Sequence, residues 1–140
     1  MTLPSRYKPS GEFVKITEVT DRQGILELRV EGSLTESTIQ DLLRSLAELL
    51  AERKPTRILL DGRTITGAPS TLDRYTLGSG LARILPNAVR AAMVVRKEMI
   101  DPGKLGVVVA RNRGLAANSF DDREAAIRWL TEGSEGPAPT

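Results

Sequence analysis

The order of elements predicted for this chain, β-β-α-β-α-β-α-β-α, belongs to the α/β class: a mixed, mostly parallel five-stranded sheet covered by helices. Three observations predict it. Two alternating segments flank Gly24, the pattern of an antiparallel hairpin. Three short runs, Arg57 to Asp61, Val89 to Val95 and Leu115 to Ser119, are too brief for helices and suit strands. Helical patterns separate those runs, and strands that alternate with helices build parallel sheets.

The elements follow in order. From Phe13 to Thr20, Val14, Ile16 and Val19 alternate with Phe13, Lys15 and Thr17, which suits a strand near a sheet edge. Asp21-Arg22-Gln23-Gly24 is a turn in which Gly24 is free to take positive φ. Ile25 to Glu31 alternates again, with Leu26, Leu28 and Val30 against Ile25, Glu27 and Arg29.

The clearest element is a helix over 36–53. Ile39, Leu42, Leu43, Leu46, Leu49 and Leu50 form one stripe at helical spacing. Thr35 is placed as N-cap, Leu34 and Ile39 as a hydrophobic staple, and Pro55 stops the run. Ile58-Leu59-Leu60 reads as a central strand, followed by a loop from Gly62 to Pro69 and a helix over 71–85 capped by Ser70. A third helix is expected from Asp101, as cap, with Pro102 at its first position and Gly114 as its C-cap glycine. The last helix is expected from Asp121, with Glu124 closing a capping box and Phe120 stapled to Ala125. Ala125, Ala126, Trp129 and Leu130 make its buried stripe, with Trp129, the sole tryptophan, as a core anchor.

One domain over 13–131 is expected, with flexible tails at 1–12 and 132–140, where Pro and Gly gather. The chain has neither cysteine nor histidine. Disulfides, thiolate metal sites, cysteine nucleophiles and histidine general bases are therefore excluded within it. A formal charge of +2 and 4% aromatic residues argue against nucleic acid as partner. No apolar run reaches the roughly 18 to 20 residues of a membrane span. The reading is a cytoplasmic, bacterial-type protein with no cofactor.

The order of elements, with Ile58-Leu59-Leu60-Asp61, Pro69-Ser70-Thr71-Leu72-Asp73-Arg74, Asn112-Arg113-Gly114, Phe120-Asp121-Asp122 and Ala125-Ala126-Ile127-Arg128-Trp129-Leu130, resembles the STAS superfamily. This is the fold of bacterial anti-sigma-factor antagonists, and the stand-alone, antagonist-like branch is the nearer likeness. That branch is itself similar to lipid-binding CRAL-TRIO domains. The resemblance implies a regulatory module that binds another protein. It also implies a phosphoacceptor at the start of the helix after the central strand, which here is Ser70 or Thr71. The antagonist pattern sets an acidic residue before two hydroxyl residues and a glycine after them, whereas this chain has Pro69-Ser70-Thr71-Leu72.

Each candidate site has a plainer reading beside it. Ser70 also serves as an ordinary N-cap. Asp61, Arg63, Asp73 and Arg74 could surround one cleft beyond the strand ends, as a ligand or partner surface, or could be solvated surface pairs. Two carboxylates without histidine make a poor metal site, and a hydrolase built on Asp61 and Asp73 ranks last. Gly78-Ser79-Gly80 fails as a nucleotide motif, because Arg83 stands where the next glycine belongs and the run lies inside a helix. Gly78, Ser79 and Ala82 instead give that helix a small-residue face for close packing. Arg83, Arg90, Arg96, Lys97, Arg111 and Arg113 read as scattered solvated charge rather than one basic patch. The leading expectation is a non-enzymatic regulatory protein-interaction module, with an unknown protein, or a second copy of the chain, as partner. The alternative is a binding domain for a small molecule, a lipid or a nucleotide, with a cavity between the sheet and the helix 71–85.

Overall fold

A computed structural model describes residues 12–22 and 24–132. The tails expected at 1–12 and 132–140 fall almost wholly outside the described residues, as does Gln23 of the hairpin turn. The chain runs β1 (Val14–Arg22), β2 (Ile25–Ser33), α1 (Glu36–Arg53), β3 (Arg57–Asp61), β4 (Ile65–Thr66), α2 (Thr71–Ile84), β5 (Arg90–Val94), a 3-10 turn (Lys97–Met99), α3 (Leu105–Asn112), β6 (Ala116–Phe120) and α4 (Arg123–Glu132). The sheet order is β1-β2-β3-β5-β6, with β4 paired to β2. Among the described residues only the β1–β2 hairpin is antiparallel.

The sheet has six strands rather than five. β4 is a two-residue strand inside the expected loop, and it pairs Ile65 with Gly32 and Thr66 with Ser33. It continues the track of β3 along β2 after a turn at Arg63-Thr64. Two residues are too few to show any period in the sequence. Val19 departs from its expected place: it is the extra residue of a bulge between Glu18 and Thr20 and is exposed, while Val14 and Ile16 are buried.

Alternation along the strands separates two cores. Ile58 and Leu60 face α1, α2 and α3, together with Leu28, Val30, Leu42, Leu46, Ala91 and Ala117. Leu59 faces the other way, with Ile25, Ala92, Val94, Ala126, Trp129 and Leu130 under α4 alone. β3 is thus buried on both faces, as a central parallel strand must be. Trp129 is buried, lies 5.9 Å from the Phe120 ring and carries the Arg90 guanidinium 4.0 Å above its own ring.

The helix ends explain which boundaries the sequence conveys. Thr35 and Thr38 cap α1 reciprocally, and Lys54 closes it in a left-handed conformation. α3 starts later than expected. Pro102 and Gly103 form a turn, Lys104 takes the N-cap position at φ 47°, and the helix begins at Leu105. Asp101 still reaches the helix, since its Oδ2 accepts from the Leu105 amide at 3.3 Å. In α4 the capping carboxylate is Asp122, not Asp121, and accepts from the Glu124 amide at 3.3 Å.

The small-residue face of α2 packs on two sides. A Cβ on Gly78 would fall well inside contact distance of the Gly106 carbonyl of α3, and one on Gly80 would strike Leu43 of α1. Gly78→Ala should therefore destabilise by about 1 to 3 kcal/mol through overpacking, despite the gain of up to ~1 kcal/mol in helix propensity. Leu46→Ala, in the middle of the α1 stripe, should cost about 2 to 5 kcal/mol. Urea unfolding midpoints check both; an unmoved midpoint for Gly78→Ala would mean that α2 and α3 do not touch there.

Candidate functional site

Parallel strands β3 and β5 end on one side of the sheet, where an open α/β fold places its ligands and contacts. The chain leaving β4 reaches the N-terminus of α2 there, so the fold presents Ser70 and Thr71 at this rim, both exposed. Ser70 Oγ accepts from the Asp73 amide at 3.0 Å, and Asp73 Oδ2 accepts from the Ser70 amide at 3.0 Å. That reciprocal box satisfies two amides that the helix start leaves open. Beside it the surface is apolar: Leu72, Tyr75 and Val108 are exposed, on α2 and the adjoining α3. The Tyr75 hydroxyl accepts from Arg113 at 3.0 Å, which ties the two helices across this surface.

Under α2 lies a cavity of about 110 Å³. Its floor is the sheet, through Leu60, Ala91, Met93 and Ala117, and its walls come from Leu77 and Leu81 of α2 and Val107 and Ala110 of α3. Ala91, Ala110 and Ala117 are small and line this space, whereas the room beside Gly78 is taken by the Gly106 backbone. Asp73, Arg74, Asp101, Lys104, Asn118 and Ser119 supply its polar edge. Arg74 donates to Met99 O at 3.2 Å and lies 3.8 Å from Asp101.

The four charged residues expected around one cleft divide between the two faces. Asp73 and Arg74 border the cavity. Asp61 shares the parity of Leu59 and so points to the α4 face. There Arg63 grips it with two guanidinium bonds of 3.0 and 2.8 Å. Arg123 holds buried Glu27 in the same bidentate way, at 2.8 and 2.5 Å. Burial alone would push the Asp61 carboxyl up, but the Arg63 hydrogen bonds and charge, with Arg29 behind them, hold it below its ordinary value. The arginines weighed as a basic patch have separate tasks. Arg90 covers Trp129, Arg96 donates to the carbonyls of Arg63 and Ile65, Arg111 to Ala117 O and Arg113 to Tyr75.

No motif marks Lys104, and the sequence pattern passed over it. Its ammonium donates to Asn118 Oδ1 at 3.0 Å and to Ser119 O at 2.9 Å, along the open edge of β6. Together with Arg111 it covers carbonyls that would otherwise invite another strand. Burial and the nearby Arg111 charge lower its affinity for a proton, which Asp121 partly offsets.

A model of the SpoIIAA-like family matches residues 25–131. No curated protein matches the chain. The solved structure of an anti-sigma factor antagonist from Mycobacterium paratuberculosis is similar, with a TM-score of 0.61 at 12% identity over 91% of this chain and 100% of that one. An uncharacterised protein from Shewanella loihica, described as having a SpoIIAA-like fold, gives a TM-score of 0.50 at 19% identity over 84% of this chain and 93% of its own. At such identities the likeness is one of fold.

The Asp61–Arg63 pair has a pH signature. A carboxyl whose pKa is depressed in the folded state stabilises fully above its unfolded pKa, and that contribution is lost as pH falls through the folded value. Asp61→Asn should therefore destabilise at neutral pH, and its deficit against the parent should shrink as pH drops below about 4. Urea midpoints at about pH 7 and pH 3 measure this; a deficit of constant size would show that the carboxylate charge contributes nothing.

Proposed function

The chain belongs to the SpoIIAA-like family, and we propose that it is a non-enzymatic regulatory module that works by binding another protein. The observation that carries this reading is the surface around the start of α2. Ser70 and Thr71 stand exposed at a helix N-terminus, next to Leu72 at 64% exposure and Tyr75 at 43%. Large apolar side chains left in water beside a modifiable hydroxyl suit a face that is covered part of the time. The fold likeness to an anti-sigma factor antagonist supports the same reading. Ser70 and Thr71 are the proposed phosphoacceptors and the Asp73–Arg74 turn part of the docking rim. Asp61 and Arg63, on the opposite face, are proposed as structural.

Phosphate on Ser70 would add about −1.5 to −2 charges there. The helix dipole favours that charge. The Asp73 carboxylate, which now accepts from the Ser70 amide, opposes it. Modification would thus rearrange the first turn of α2 without unfolding the domain.

A second reading, a small-molecule binding domain, has its own support in the apolar cavity between the sheet, α2 and α3. The two readings are compatible, since a ligand under α2 would lie directly beneath the proposed docking face.

Variants of Ser70 test the switch. Ser70→Ala should cost about 1 kcal/mol through loss of the cap and should keep partner capture. Ser70→Glu should stay folded by circular dichroism and lose capture, and Leu72→Glu should do the same. Equal capture by all three, measured with tagged protein in extracts of the native host, would reject this face as the binding surface.

A further inference from the structure

We propose that Lys104, Asn118 and Arg111 form a clasp that closes the free edge of β6, and that this edge, once unclasped, is a pairing surface for a second copy of the chain. The α2 face has no part in it.

Among the described residues β6 pairs with β5 alone, so one side of its backbone is left without a strand. Phe120 O turns inward, where it accepts from the Val95 amide at 2.9 Å. Successive residues of a strand turn their peptide groups to opposite sides, so those of Ala117 and Ser119 turn outward. Side chains meet most of these outward groups. Ala117 O accepts from Arg111 Nε at 2.9 Å, Ser119 O accepts from Lys104 Nζ at 2.9 Å, and the Ser119 amide donates to Asn118 Oδ1 at 2.9 Å. Lys104 also donates to Asn118 Oδ1 at 3.0 Å, and its ammonium lies 5.8 Å from the centre of the Phe120 ring. The lysine therefore lies across the edge and locks the asparagine that covers the Ser119 amide.

The strand has little other protection. Ala116, Ala117 and Ser119 are too small to fend off an approaching backbone, and β6 carries neither a proline nor a charge of its own, the usual guards of an edge. Asparagine is depleted in strands, yet Asn118 is buried in this one. What it supplies is one oxygen that serves both the Ser119 amide and Lys104.

The edge is complementary to itself. Two β6 strands laid antiparallel about a two-fold axis at Asn118 set Ala117 of each copy opposite Ser119 of the other. Residues opposed in this way exchange both N–H···O bonds, so the contact is isologous and joins two sheets into one. The small side chains of 116, 117 and 119 then meet their own kind, which makes a second copy the occupant. In the clasped state Lys104 and Arg111 occupy the acceptors that such pairing needs, and their like charges would face those of the other copy.

Sedimentation velocity and amide exchange of the full chain test this. Lys104→Ala combined with Arg111→Ala should form dimers at concentrations where the parent does not. Exchange at the Ala117 amide should slow about tenfold or more in step with dimer formation. Lys104→Met, which keeps the apolar stem and removes only the donors, is the milder variant and should shift the same way. Lys104→Arg, whose guanidinium can make both bonds, should behave as the parent. Variants that fold by circular dichroism and sediment as the parent does would overturn the proposal. So would association that leaves the Ala117 amide unprotected, since the contact would then lie elsewhere. A parent already protected at Ala117 through dimer formation would overturn it too, because its edge would not be closed by the clasp.

Discussion

The contact of α2 with α3 at Gly78 and Gly106 governs the functional side of this molecule. Gly78 leaves no room for a side chain, because the Gly106 carbonyl lies where its Cβ would be, and a Cβ on Gly106 would crowd the Arg74 carbonyl at 3.1 Å. The helices can therefore come close over the strand ends instead of splaying. One consequence is outward: α2 brings Ser70, Leu72 and Tyr75 to the rim, tied to α3 through Tyr75 and Arg113. The other is inward: below the contact, Ala91, Ala110 and Ala117 line the apolar cavity. Gly80 anchors the opposite flank of α2 on Leu43 of α1, so the helix is held from both sides while its first turn stays in solvent.

The two faces of the sheet differ in what they can do. On the α4 face, Asp61 and Glu27 are buried and each is gripped by an arginine. Buried carboxylates held in this way are costly to disturb, and their oxygens already accept from guanidinium donors. On the other face, Ser70 and Asp73 satisfy each other at the surface, and a change at either is local. The first arrangement keeps the sheet and α4 in register; the second leaves room for regulation.

Much of this was legible in the sequence wherever local chemistry decides. α1 falls where its stripe, Thr35 and Pro55 put it, because cap, staple and stop agree. Ser70 was legible as a cap for the same reason, and Gly78 as a packing position, although the close contacts fall at Gly78 and Gly80 rather than on the expected face of Gly78, Ser79 and Ala82. The start of α3 was not legible. Asp101-Pro102 has the form of a helix start, but the chain needs a further turn through Gly103 and Lys104 before α3 can lie along β6. β4 escaped because two residues show no period. The separation of Asp61 from Asp73 escaped because their nearness in sequence says nothing about which face of the sheet each points to. Lys104 gave no signal, since its role depends on β6, which pairs into the sheet from further along the chain.

The central claim, that this member of the SpoIIAA-like family regulates by binding a protein at the start of α2, is tested most directly by native mass spectrometry of the protein purified from its own host. The account predicts a population carrying a second protein, and a free population in which Ser70 or Thr71 bears phosphate. A chain found only bare and unmodified across growth conditions would contradict it.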